Sequence, residues 1–80
     1  MFINGSHVVY IGDIEKRSND YKYSYMISIV FINKTILIII SNDESKLEDF
    51  IYRLVDDVND NDRLFEIIES DDIKYYFEQN

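Results

Sequence analysis

Eighty residues, with eight Lys and Arg against sixteen Asp and Glu and with no Cys, Pro or Trp, describe one small domain with a single core and a formal charge of −8. The lack of Cys excludes a disulfide framework and thiolate metal sites, so apolar packing has to hold the chain together. The charge repels nucleic acid and anionic membrane and favours basic protein surfaces.

The chain opens on Met1-Phe2-Ile3-Asn4-Gly5, which has neither the positive start nor the long apolar stretch of a secretion signal. From His7 to Glu15 the β-branched residues Val8, Val9, Ile11 and Ile14 predict a strand, with Gly12 as a bulge. Lys16-Arg17-Ser18-Asn19-Asp20 reads as a loop. A run of period two follows: Tyr21, Tyr23, Tyr25, Ile27, Ile29 and Phe31 share one face, and Lys22, Ser24, Met26, Ser28, Val30 and Ile32 the other. The second face ends apolar, which predicts cover on both sides at that end. Asn33-Lys34 predicts a two-residue hairpin turn, because Asn tolerates positive φ. Thr35 to Ser41, nearly all Ile, completes a three-stranded antiparallel meander. Its longest apolar stretch, Ile36 to Ile40, falls far short of the roughly 20 residues that span a bilayer as a helix, so a soluble, cytoplasmic protein is expected.

At Ser41 the period changes. Ser41-Asn42-Asp43-Glu44 fits a capping box, and Leu47, Phe50, Ile51, Leu54, Val55 and Val58 recur at helical spacing, leaving Glu48, Asp49, Tyr52, Asp56 and Asp57 outward. The run from Asp56 to Asp62 ends this helix with turn-forming residues. A second helix is expected over Arg63 to Glu69, burying Leu64, Phe65, Ile67 and Ile68. A third, capped by Ser70, would carry Ile73, Tyr76 and Phe77. The fold expected is α+β in one domain over residues 1–80: a three-stranded antiparallel sheet (1–41) followed by two or three short helices on one face in an acidic helical half (42–80).

Catalytic chemistry finds little footing. His7 is the only His and has no second His or Cys to complete a zinc set, so it reads as a strand residue. Asp56, Asp57, Asp60 and Asp62 lack the central Gly and final Glu of a calcium loop. Paired carboxylates for glycoside hydrolysis need a cleft that desolvates one acid, for which eighty residues leave little room. Gly5 and Gly12 match no phosphate-binding loop. Tyr21, Tyr23 and Tyr25 could stack bases, but such platforms carry cations; cover for the core or a sheet edge, or a dimer contact, suits them better. No residue is assigned to catalysis, metal or cofactor, and the protein is read as a non-enzyme.

The charge is uneven. Residues 1–40 hold three acids and four bases, whereas residues 41–80 hold thirteen acids and four bases. Asp56, Asp57, Asp60, Asp62, Glu66, Glu69, Asp71 and Asp72 crowd into seventeen residues, and each exposed like-charge pair costs a few tenths of a kcal/mol. Carboxylates on a helical frame can stand in for DNA phosphates before a Lys- and Arg-rich groove. These eight residues are therefore the expected partner-binding set. The partner is a basic nucleic-acid-binding protein, with no direct nucleic acid or membrane contact, and the chain a monomer or homodimer. Half of the residues are Phe, Tyr, Met, Ile, Asn or Lys and none is Ala, the mark of AT-rich codons and of a low-GC bacterial or phage genome.

The segment from Ile40 to Ile51, with Glu44, Ser45, Glu48, Phe50 and Ile51 in the pattern Glu-Ser-x-x-Glu-x-Phe-Ile, resembles the small acidic anti-CRISPR proteins of Firmicute phages, including Listeria prophage inhibitors of the type II CRISPR nuclease. The resemblance implies a three-stranded sheet followed by helices whose acids fill the groove that reads the protospacer-adjacent motif, so that target DNA cannot load. The chain departs from that family in opening with a strand and in its turn Asn33-Lys34, which is not acidic. The function implied is a phage inhibitor of a CRISPR or other defence nuclease in the host bacterial cytoplasm. An acidic immunity protein or antitoxin covering a toxin nuclease, or a non-catalytic dimerisation module, are the alternatives.

Overall fold

The computed structural model describes residues 1–18, 20–59 and 64–78. In chain order the elements are β1 (Phe2–Asn4), a 3-10 turn (Gly5–His7), β2 (Val8–Ile11), β3 (Glu15–Lys16), β4 (Tyr25–Phe31), β5 (Ile36–Ser41), α1 (Glu44–Asn59), β6 (Leu64–Glu66) and β7 (Ile73–Glu78). The five-stranded antiparallel sheet has the order β2-β4-β5-β7, with β3 also on β4; β1 and β6 form a separate two-stranded ribbon.

The first half departs from the expected three-stranded meander: β1 is an added strand, the strand expected from His7 to Glu15 splits into β2 and β3 with its register shift between Val8 and Tyr10 and not at Gly12, and the strand expected from Tyr21 starts at Tyr25. β2 and β3 lie end to end along one edge of β4, pairing Val8 with Phe31 and Glu15 with Met26. Between them Gly12 N donates to Ser28 O at 2.8 Å. A Cβ on Gly12 would come within 3.3 Å of that oxygen, so the side chain is missing where the ladder needs room. The β4–β5 hairpin closes over three residues rather than the two expected: Phe31 N donates to Thr35 O at 3.0 Å and Lys34 N to Phe31 O at 2.9 Å. The positive φ of 69° falls on Lys34 and not on Asn33. Asn33 instead accepts from Thr35 N through Oδ1 at 3.0 Å.

The second half overturns the expected succession of helices. Only α1 forms among the described residues; the segments read as a second and third helix contain β6 and β7, and the fold is mostly β with a single helix. The cause lies in β5. A strand of nearly continuous Ile leaves a row of unpaired backbone groups on its outer side, an edge that invites pairing. β7 satisfies it along its whole length, from Ile36 opposite Glu78 to Ser41 opposite Ile73. Local chemistry alone is ambiguous here. Ser70 Oγ accepts from the N–H groups of Asp72 and Ile73 at 3.2 Å, as an N-cap would. Ser70 N, however, donates to Ile73 O at 3.0 Å and turns the chain into a strand. β6 pairs with β1, setting Phe65 opposite Ile3, and the backbone N–H of Ile67 donates to Met1 O at 2.7 Å.

The core lies between the sheet and a layer made of α1 and the ribbon. Ile27 and Ile29 of β4 and Leu37 and Ile39 of β5 meet Leu47, Phe50 and Leu54 of α1 and Ile3, Phe65 and Ile67 of the ribbon. Phe50 and Phe65 pack edge to face, with centroids 5.1 Å apart and planes at 84°. Gly5 lets the end of α1 come close: a Cβ there would stand 3.0 Å from Asp57 O and from Val58 Cα. α1 begins two residues later than a Ser41–Glu44 capping box would start it. Ser41 is the last residue of β5, and its Oγ accepts from Asp43 N at 3.0 Å. Asp43 makes the cap, its Oδ1 accepting from Ser45 N at 3.0 Å and from Ser45 Oγ at 2.6 Å.

Candidate functional site

With Leu47, Phe50 and Leu54 buried, α1 turns a row of side chains four residues apart to solvent: Glu44, Glu48, Tyr52 and Asp56, with Asp49 beside it. All five are exposed, and Tyr52 stands out with 77 % of its surface free. The row spans about 18 Å at the helical rise of about 1.5 Å per residue, a length over which one DNA strand carries about five phosphates. Three of its four residues are carboxylates and Asp49 adds a fourth beside it, while Arg53, one turn after Asp49, shares a groove with Asp56. Glu44 favours the helix as a negative charge in the first turn, whereas Asp56 lies near the C-terminal end, where the dipole disfavours it and the last turn holds no base.

The flank of α1 facing the ribbon and β7 is charged in both signs. Lys46 pairs with Asp72 in the β6–β7 loop. The Asp72 hydrogen bond raises the Lys46 pKa above its ordinary value of 10.5, and the Ser45 hydroxyl holds the Asp43 carboxyl below 3.8. Arg53, Asp56, Asp57, Phe65 and Glu66 line a shallow groove between helix and ribbon.

The eight residues expected to bind a partner thus divide. Asp56 belongs to the exposed row of α1. Asp57, half-buried, and Glu66, exposed on β6, border the groove around Arg53. Glu69, Asp71 and Asp72 sit in the β6–β7 loop, Glu69 at 3.9 Å from Lys74 and Asp72 on Lys46. Asp60 and Asp62 lie outside the described residues. Sequence reasoning passed over Glu44, Glu48, Asp49 and Tyr52 as site residues, although the heptad-like spacing of Leu47, Phe50 and Leu54 already placed Glu48, Asp49 and Tyr52 outward.

The tyrosines do not form a stacking stripe. β4 starts at Tyr25, which packs against the core, and residues 21–24 bend away as Ser24 N donates to Asn42 Oδ1 at 2.9 Å. The Arg17 guanidinium lies 3.8 Å over the Tyr21 ring. His7 sits exposed in the 3-10 turn rather than in a strand. It borders a mostly apolar hollow of about 360 Å³ with Phe2, Phe31, Ile32 and Phe77. Among the described residues no cluster of His, Cys, Asp or Glu is arranged to hold a metal, and no helix is long and apolar enough to cross a membrane.

The second face of β4, expected to be covered at its apolar end, has neither α1 nor the ribbon on it. The sheet face turned away from α1 carries Met26, Ser28 and Val30 of β4, Ile36, Ile38 and Ile40 of β5, and Lys74, Tyr76 and Glu78 of β7, aligned by the register. Reading β7 as a helix hid its contribution. No family model matches this chain, and no curated protein or solved structure matches it either.

Proposed function

We propose that the protein is a non-catalytic inhibitor that seats the acidic row of α1 in the basic nucleic-acid groove of a bacterial defence nuclease and so excludes DNA. The observation that carries this reading is the row Glu44, Glu48, Tyr52 and Asp56 with Asp49: carboxylates at near-phosphate density around one exposed aromatic. An exposed Tyr within a polar rim is the composition of a binding hot spot, and the surrounding acids steer a basic groove toward it. The resemblance of Glu44 to Ile51 to anti-CRISPR sequences supports a type II CRISPR nuclease as the first target to try. The acids of the β6–β7 loop play a smaller part, because Lys46 and Lys74 already offset them.

The test is DNA cleavage by a guide-loaded type II CRISPR nuclease in the presence of the full chain. Cleavage should fall as the protein approaches the nuclease concentration, and Tyr52→Ala should weaken inhibition about tenfold or more. Undiminished cleavage at a large excess of protein would remove this target. Inhibition unchanged by Tyr52→Ala would remove α1 as the docking element.

A further inference from the structure

We infer that the bare face of the sheet is a self-association surface whose occupant is a second copy of this chain. In an antiparallel sheet with one face on the core and one in water, apolar and polar residues alternate along each strand. β5 breaks that rule: Leu37 and Ile39 enter the core, yet the outward set is Ile36, Ile38 and Ile40. Ile38 and Ile40 keep only 3 % and 9 % of their surface, although neither belongs to the core cluster. α1 and the ribbon both lie on the opposite side.

The register arranges this face in three cross-strand rows. The middle row is Ser28, Ile38 and Tyr76; the row on one side is Val30, Ile36 and Glu78, and on the other Met26, Ile40 and Lys74. Glu78 and Lys74 therefore stand at equal distances along β7 on either side of Tyr76. A two-fold axis lying along the middle row stacks two sheets face to face with their strands reversed. It brings Lys74 of each copy, which within its own chain lies 3.9 Å from Glu69, onto Glu78 of the other, while the exposed Tyr76 meets its own counterpart. Aligned packing of this kind tolerates the roughly 30° set by sheet twist. The charge pattern is thus complementary to itself, on a molecule whose net charge of −8 repels a second copy elsewhere. From strand spacing and rise, the three strands give a face of about 14 Å by 20 Å, below the size of a stable interface, so the dimer is weak and concentration-dependent. This face is separate from the α1 row, and the two readings stand or fall independently.

Sedimentation velocity of the full chain from about 5 to 500 µM at 0.15 M NaCl tests this, with circular dichroism confirming that each variant folds. The wild type should pass from monomer to dimer within that range, and the dimer should persist at 0.5 M NaCl. Lys74→Glu and Glu78→Lys should each weaken dimerisation about tenfold or more, by setting like charges together twice across the axis. The double variant K74E/E78K should recover to within about threefold of wild type. Ser28→Arg, which places a bulky charge on the axis, should abolish the dimer. A wild type that stays monomeric at 500 µM, or a double variant no better than the singles, overturns the proposal.

Discussion

At the scale of single residues, two positions show how local geometry departs from what residue type suggests. Lys34 holds the left-handed conformation of the hairpin, with φ of 69°, where a Cβ is unfavourable. Lys34→Gly is expected to stabilise the protein by about 0.5–1 kcal/mol, read as a higher urea midpoint at unchanged slope. The sequence put the turn in the right place but gave the strain to Asn33. Asn tolerates positive φ, yet here its side chain is used to accept from Thr35 N. Asp43 is the second case. Its carboxylate titrates below 3.8 because Ser45 donates to it, so its contribution to stability is complete above that value and fades as pH falls through the lowered folded pKa. Asp43→Ala should lower the urea midpoint at pH 7, and the gap to wild type should close as pH drops below about 4. Lys46 has the opposite sign: raised above 10.5 by Asp72, it stabilises at lower pH and loses that contribution as pH rises through its folded value.

At the scale of elements, packing decides what propensity leaves open. β6 contributes one large residue inward, Phe65, whose ring meets Phe50 edge to face. Phe65→Ala should cost about 3–5 kcal/mol in chemical denaturation, as expected of a buried Phe. Gly5→Ala should cost about 1–3 kcal/mol, because its Cβ would press on the backbone at Asp57 and Val58, where neither atom can rotate away. α1 was legible because Leu47, Phe50 and Leu54 repeat at 3.6 residues, although its cap is Asp43 and not the expected Ser41. β7 was not. Ile73, Tyr75 and Phe77 alternate with Lys74, Tyr76 and Glu78, a period of two, but over only six residues, and Ser70 with Asp71 and Asp72 mimics a helix start. What fixes it as a strand is the open side of β5, more than thirty residues away in sequence, which no local window contains.

At the scale of the whole molecule, the topology gives two unlike surfaces to opposite sides. One is the acidic row of α1 and the other the apolar outer face of β4, β5 and β7. The charge imbalance between the two halves of the chain was visible in the sequence. Its division was not, since Lys46 meets Asp72 only where the β6–β7 loop folds back beside α1, and Lys74 approaches Glu69 only across the turn that leads into β7. The central claim is that α1 replaces DNA in a cationic groove, and the most direct measurement is displacement of a labelled target duplex from the guide-loaded nuclease across a range of salt. Wild type should displace the duplex with an affinity that weakens as salt rises, and E48Q/D49N/D56N should lose about tenfold or more at low salt and show a shallower salt dependence. A triple variant that displaces the duplex as well as wild type, with the same salt slope, would contradict the account.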